Sequence, residues 1–141
     1  MIEQLSVFLE NDKGRLAHLT RELADAGVNM YDLFVADTSD FGIVRIFCDT
    51  PRRAAEVLRS AGYRAALTDV LAVRVPNRQG GLAELLEFLD AEEVNIEYGY
   101  CFSMGDDVAI DVLKVENPAI EDTLSQAGFD IVEAKEVYAL D

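Results

Sequence analysis

The feature that most constrains this 141-residue chain is that it is written twice. Glu10-Asn11-Asp12-Lys13-Gly14-Arg15-Leu16, running on to Gly27-Val28-Asn29-Met30, returns 66 positions later as Pro76-Asn77-Arg78-Gln79-Gly80-Gly81-Leu82 and Glu93-Val94-Asn95-Ile96. At the same gapless offset Leu5 matches Leu71, Val7 matches Val73, Leu19 matches Leu85, Leu23 matches Leu89, Leu58 matches Leu124, and Ala61-Gly62 matches Ala127-Gly128. Repeated leucines and valines mark a shared core. Repeated Asn and Gly in a loop need a backbone conformation or a ligand to hold them, because loops otherwise drift. Self-similarity at a fixed period is the signature of a duplicated structural unit.

Residues 1–69 and 70–141 are therefore read as two domains of about 70 residues, a size at which only about 60% of the unfolded surface is buried. Fusion gives each unit a neighbour, and packing of the halves or of two chains in a homodimer gives it more. A composition of 50% hydrophobic and 28% charged residues is that of a folded domain, and the net charge of -15 argues against nucleic acid and anionic membrane surfaces as partners. No apolar run approaches the roughly 18 residues of a membrane span, and Met1-Ile2-Glu3-Gln4 lacks the order of a signal peptide, so the expected location is the cytoplasm. Cys48 and Cys101 have no metal-type spacing and read as reduced, packed thiols, with a disulfide the less favoured reading.

Residues 3–9 alternate, with Leu5, Val7 and Leu9 on one face and Gln4, Ser6 and Phe8 on the other, the period of a half-buried strand. Leu16, Leu19 and Leu23 then fall at helical spacing over 15–26, closed by Gly27. Strands follow at 29–37 and 42–48, joined by Thr38-Ser39-Asp40-Phe41. Pro51 opens a second helix with Ala54, Val57, Leu58 and Ala61 on its apolar face, and a fourth strand spans 64–69. Nothing like a flexible linker separates that strand from 71–75, so the two can run together.

The second half repeats the order: a helix carrying Leu82, Leu85, Leu86 and Leu89, strands at 95–104 and 108–115, a helix opened by Asn117-Pro118 and closed by Gly128, and a last strand over 131–140. With right-handed crossovers, each half becomes an α+β, ferredoxin-like βαββαβ unit: a four-stranded antiparallel sheet with two helices on one face.

Gly14 permits a close backbone approach, and the N–H groups near Gly14, Arg15 and Leu16 are first-turn donors at the positive end of a helix dipole, suited to a carboxylate. Asn11 offers an acceptor and two donors without a net charge to desolvate, and Asn29 follows the helix. Two neutral amides beside a helix N-terminus match a zwitterion such as a free α-amino acid. The structural alternative is that Asn11 and Asn77 cap helices while Asn29 and Asn95 merely follow them. Recurrence in both copies favours the ligand.

Asn-x-x-Gly-x-Leu followed by Gly-Val-Asn-Met within a βαββαβ unit resembles the ACT domain, a family of regulatory modules that bind amino acids. The likeness covers both halves, as a tandem ACT protein without a catalytic domain. Asp40-Phe41-Gly42-Ile43-Val44-Arg45 also resembles a stand-alone tandem subgroup. The resemblance implies effectors seated between adjacent units. In one half it assigns them to Asn11, Asp12, Lys13, Gly14, Arg15, Leu16, Asn29 and Met30. In the other it assigns them to Asn77, Arg78, Gln79, Gly80, Gly81, Leu82, Asn95 and Ile96. The commonest form has Pro before the glycine, where this chain has Lys13 and Gln79, and Glu93 stands where the first copy has Gly27.

Tyr98, Tyr100 and Phe102 alternate along one strand and suit a pocket, an interface or ordinary packing. Other readings of the fold fare worse. Neither loop carries the Cys-x-x-Cys of a heavy-metal domain. Phe8 and Phe47 would suit an RNA-recognition sheet, but the charge opposes it. Asp40-Phe41-Gly42 lacks every companion of the kinase motif it spells. His18 reads as a surface or interface residue, with no nucleophile or base partner. Asp106-Asp107 and Glu92-Glu93 read as solvated turn and helix-end charges. No cofactor, metal or enzymatic activity is expected. The leading reading is a non-enzymatic amino-acid-binding regulator. The alternative is a regulatory subunit docking on an amino-acid metabolic enzyme, in the manner of the acetolactate synthase small subunit.

Overall fold

A computed structural model of the protein describes residues 1–10, 12–37, 41–103, 105 and 107–138. Asn11, the 38–40 turn, Met104, Asp106 and the expected strand beyond 138 lie outside them. The first half runs β1 (Ile2–Glu10), α1 (Arg15–Asp25), β2 (Met30–Asp37), β3 (Phe41–Cys48), α2 (Pro51–Ser60) and β4 (Arg64–Pro76). The second continues with α3 (Gly81–Ala91), β5 (Ile96–Ser103), β6 (Val108–Val115), α4 (Ile120–Gln126), β7 (Asp130–Ile131) and α5 (Ala134–Val137). No helix among the described residues is long and apolar enough to cross a membrane.

The expected α+β class and antiparallel pairing hold, but the two separate four-stranded sheets do not. Seven strands form one hydrogen-bonded order, β2-β3-β1-β4-β6-β5, with β7 also on β4. The reason is β4, a single 13-residue strand. Arg64 to Val75 contains neither Gly nor Pro to break it, so the last strand of one half is also the first of the next.

Two compact units result, one formed by Glu3–Thr68 with the chain from Val137, the other by Met1–Ile2 with Asp69–Glu136. In the first, Leu19 and Leu23 of α1 and Ala54, Ala55 and Leu58 of α2 bury against Leu5, Val7, Leu9, Val44 and Ile46. Gln4 and Ser6 lie on the other face, as the alternation requires. Gln4 Nε2 donates to Ser6 Oγ at 3.0 Å, and Ser6 shares a 3.1 Å hydrogen bond with Thr68.

The last expected strand is the largest local error. Among the described residues the strand is reduced to Asp130 and Ile131, opposite Arg74 and Val73 of β4, with the Val132 N–H donating to the Ala72 carbonyl at 2.8 Å. The chain then turns into α5, because the Glu133 N–H donates to Glu136 Oε2 at 2.6 Å while the Glu136 N–H donates to the Glu133 carbonyl at 3.0 Å. This reciprocal arrangement works like a capping box. The Glu133 N–H first, and Arg74 after it, hold the Glu136 carboxyl below its usual range.

The copies also differ in register. In the first unit Leu5 pairs with Ile46 and Val7 with Val44. The repeat would then place Val112 opposite Leu71, but Leu71 pairs with Leu113 and Val73 with Asp111. β6 is one residue out against β5 as well, where Gly99 meets Leu113 while its counterpart Leu33 meets Ile46. A slip of one residue exchanges the faces of a strand. Leu113 and Val115 therefore join the helix-facing core, and Asp111 comes to the place that Val44 fills in the first unit.

Asp111 is 3% exposed, and its Oδ2 has no hydrogen-bond partner among the described residues. Desolvation raises its pKa. The folded state thus holds this proton more tightly than the unfolded chain, so Asp111 is tolerated at acid pH and costs stability as pH rises through its raised pKa. Asp111→Asn and Asp111→Val are expected to raise the unfolding free energy at neutral pH by about 1 kcal/mol or more. Urea melts across pH will show the gain shrinking towards acid pH. A gain independent of pH would count against a buried carboxylate.

Candidate functional site

The two repeated loops have the same backbone. Gly14 and Gly80 precede their helices with φ 86° and 84°, a left-handed conformation open to glycine at little cost. In the first loop the Asp12 N–H donates to the Glu10 carbonyl at 2.8 Å, Arg15 N–H to Asp12 at 3.3 Å and His18 N–H to Gly14 at 3.0 Å. In the second, Arg78 donates to Pro76 at 2.9 Å, Gly81 to Arg78 at 3.1 Å and Glu84 to Gly80 at 3.0 Å. Three bonds at three equivalent positions fix the same corner twice.

The corner leaves a defined set of donors. The Arg15 N–H, expected to be free, is taken by Asp12. The main-chain N–H groups of Leu16 and Ala17, and of Leu82 and Ala83, have no backbone acceptor among the described residues. The N-cap position of each helix is a glycine, which brings no capping side chain of its own. The Asn77 backbone N–H donates to the Asp107 carbonyl at 2.8 Å. Asn11, its counterpart, is outside the described residues.

Leu16 and Leu82, read as core positions from helical spacing, are 36% and 44% exposed beside these donors. They occupy the first turn, where the helix projects past the sheet core formed by Leu19, Leu23, Leu85 and Leu89. Asp12, Lys13 and Gln79 are exposed. Arg15 pairs with Glu10 at 3.2 Å, a hydrogen bond that raises the guanidinium pKa further, and Arg78 reaches Glu84 at 3.1 Å.

The remaining expected residues lie elsewhere. An 11-residue helix is about 16 Å long, and Asn29 stands at the opposite end of α1 from Gly14. Its N–H donates to Asp49 Oδ1 at 3.0 Å, and its carbonyl accepts from the Asp49 N–H at 3.0 Å. Asn95 likewise follows α3 and is exposed. Met30 and Ile96 are partly buried and pack against the two cores. Within one unit, then, the loop and the start of β2 or β5 do not form one site. Glu93 takes the left-handed helix end of Gly27, with φ 58° against 77°, and both are followed by a valine N–H bonded back to a helix leucine.

Tyr98, Tyr100 and Phe102 are half-buried on β5 opposite Lys114, Val112 and Ile110. Cys48 is buried and Cys101 exposed, and both are free thiols. Among the described residues no group of three or more His, Cys, Asp or Glu side chains is placed to hold a metal ion.

Sequence reasoning missed a cavity of about 410 Å³ in the first unit, where the end of β1, the first turns of α1 and the corner between α2 and β4 meet. His18, Tyr63 and Arg64 line it, and a cavity of about 500 Å³ occupies the repeat-equivalent place in the second unit. Comparison of the positions where the copies differ, rather than where they agree, would have singled out these residues.

The family model described as an ACT domain pair matches residues 1–140, so the chain belongs to that family. It is an ACT-domain regulatory module. No curated protein matches it. A crystallised protein of Bacteroides thetaiotaomicron is 37% identical, with a TM-score of 0.91 over 99% of this chain and 96% of the other. The regulatory subunit of aspartate kinase from Thermus thermophilus, in its ligand-free form, shares the fold at 18% identity and a TM-score of 0.69, covering 89% of each chain. The corresponding subunit from Thermus flavus shares it at 16% identity and a TM-score of 0.59, over 79% of this chain and 81% of that one.

Glycine is required to different degrees along the loop. A Cβ on Gly80 would meet nothing within 4 Å but would carry a left-handed backbone, whereas a Cβ on Gly81 would lie 2.3 Å from the Pro76 carbonyl oxygen. Gly80→Ala should therefore cost about 1 kcal/mol in chemical denaturation, and Gly81→Ala more. Equal costs would show that the chain relieves the Pro76 clash freely.

Proposed function

We propose that the protein is a non-enzymatic regulator that binds a free amino acid, with the two glycine corners as its carboxylate sites. The observation that carries this reading is the identity of the corners: at both, two adjacent N–H groups at a helix N-terminus are left without a backbone acceptor, with an exposed leucine alongside. Such donors, reinforced by the helix dipole, suit a carboxylate.

The amide side chains of Asn11 and Asn77 complete the corners. The ammonium and side chain of the effector are met by a neighbouring unit, supplied by pairing of ACT units and by a homodimer, through Asn29 or Asn95. A ligand held by two units favours the packing that it bridges and shifts the equilibrium between packings. Amino-acid concentration is then the input, and the output is passed to an enzyme of amino-acid metabolism in the cytoplasm.

Docking on such an enzyme without strong ligand binding is the second reading. It is favoured by the exposure of Tyr31, Phe34 and Val35 on β2, at 37%, 39% and 44%. Exposed apolar residues on an edge strand are a surface for another chain.

A thermal-shift screen of the isolated protein against the twenty amino acids separates the readings. The first predicts a melting temperature that climbs with the concentration of one amino acid or a few, stabilisation reaching about 2.7 kcal/mol at a hundred times Kd. Asn11→Ala with Asn77→Ala should remove most of it. No response to any amino acid, or one unchanged in the double variant, would exclude the assigned site.

A further inference from the structure

The two unit cavities are one feature inherited twice. Leu9 corresponds to Val75, His18 to Glu84, Tyr63 to Phe129 and Arg64 to Asp130, so each serves as a control for the other. Their electrostatics have diverged. In the second unit Arg74 is held by Asp130 at 3.3 Å and by Glu136 at 3.1 Å, and Glu84 and Asp107 add further carboxylates to the lining. No unengaged cation remains among its described residues.

In the first unit the only lining carboxylate among the described residues, Glu10, is occupied by Arg15. Arg64 has no carboxylate partner among the described residues. On a chain of net charge -15, a cavity with an uncommitted guanidinium is an exception, and it points to an anion.

The rest of the lining restricts that anion. His18 Nδ1 and the Tyr63 hydroxyl hydrogen-bond each other, with ring centroids 5.9 Å apart and planes at 36°, so two flat side chains are fixed together at the wall. Leu9 and Ala61 add apolar surface. A volume of about 410 Å³ lies at the lower end of the range for small-molecule sites, roughly 300–1,000 Å³. One free guanidinium matches one carboxylate by a bidentate pair, and flat neighbours favour a ring.

We propose that the first-unit cavity binds a small aromatic monocarboxylate, its carboxylate on Arg64 and its ring beside Tyr63 and His18, and that the second-unit cavity does not. The site adjoins the first glycine corner, sharing Glu10 and Arg15 with it, but it is centred on Arg64 and Tyr63 and its ligand needs no ammonium group, so the response of the Tyr63 and Arg64 amides separates it from the amino-acid reading.

The test is an NMR titration of the full ¹⁵N-labelled chain with 3-phenylpropanoate, with 2-phenylethylamine and inorganic phosphate as comparators. The expected result is saturable shifts of the Gly62, Tyr63 and Arg64 amides in the millimolar range or below. Gly128 and Phe129 should stay still, and neither comparator should reproduce the pattern. Arg64→Glu, at an exposed position, should leave the spectrum folded and weaken binding roughly tenfold or more, with Arg64→Lys in between. Absence of saturation, equal binding of the amine, the same shifts with phosphate alone, or unchanged affinity in Arg64→Glu would each overturn the proposal. Shifts at the glycine corners with none at Tyr63 would overturn it while sparing the amino-acid reading.

Discussion

The left-handed turn at Gly14 and Gly80 is the constraint on which the proposed site depends. A residue with a Cβ pays to enter that backbone region, and glycine does not. Once the turn is made, the glycine carbonyl accepts from His18 or Glu84, the two donors that precede that residue point out of the helix end, and Leu16 or Leu82 is carried beyond the edge of the core. One backbone angle thus fixes the direction of the helix, the unpaired N–H groups and the apolar side chain beside them. A Ser, Thr, Asp or Asn at the N-cap position would have offered its own side chain to the same donors, and glycine offers none.

Duplication makes the chain its own comparison. Where function or backbone geometry demands it, the copies agree to within a few degrees or tenths of an ångström, as at the glycine corners. Elsewhere they have drifted. Glu93 accepts a conformation that Gly27 adopts without strain, β6 has slipped by one residue, and the paired cavities have exchanged a cationic lining for an acidic one. The slip leaves Asp111 where packing calls for a valine, a cost borne by one unit alone.

Much of the fold could be read from residues because several signals agreed. Alternation in β1, leucines at helical spacing and glycine stops placed the order of elements nearly to the residue in the first half. The β6 slip was hidden because Ile110, Val112, Leu113 and Val115 are apolar in either register, so composition could not choose a face. The closing strand failed because Val132 and Val137 look extended until the Glu133 and Glu136 exchange of hydrogen bonds is known. As for the candidate site, the turn of its loop was legible from the glycine spacing. The placement of Asn29 was not, since helix length puts it at the far end of the unit.

The most direct measurement of the central claim is the amide response of Leu16, Ala17, Leu82 and Ala83 when a stabilising amino acid is added to the labelled protein. A carboxylate seated on the corners will move these four N–H resonances downfield more than any others in the helices and slow their exchange with solvent. If they stay unmoved while the protein is demonstrably saturated, the glycine corners are not where the ligand binds.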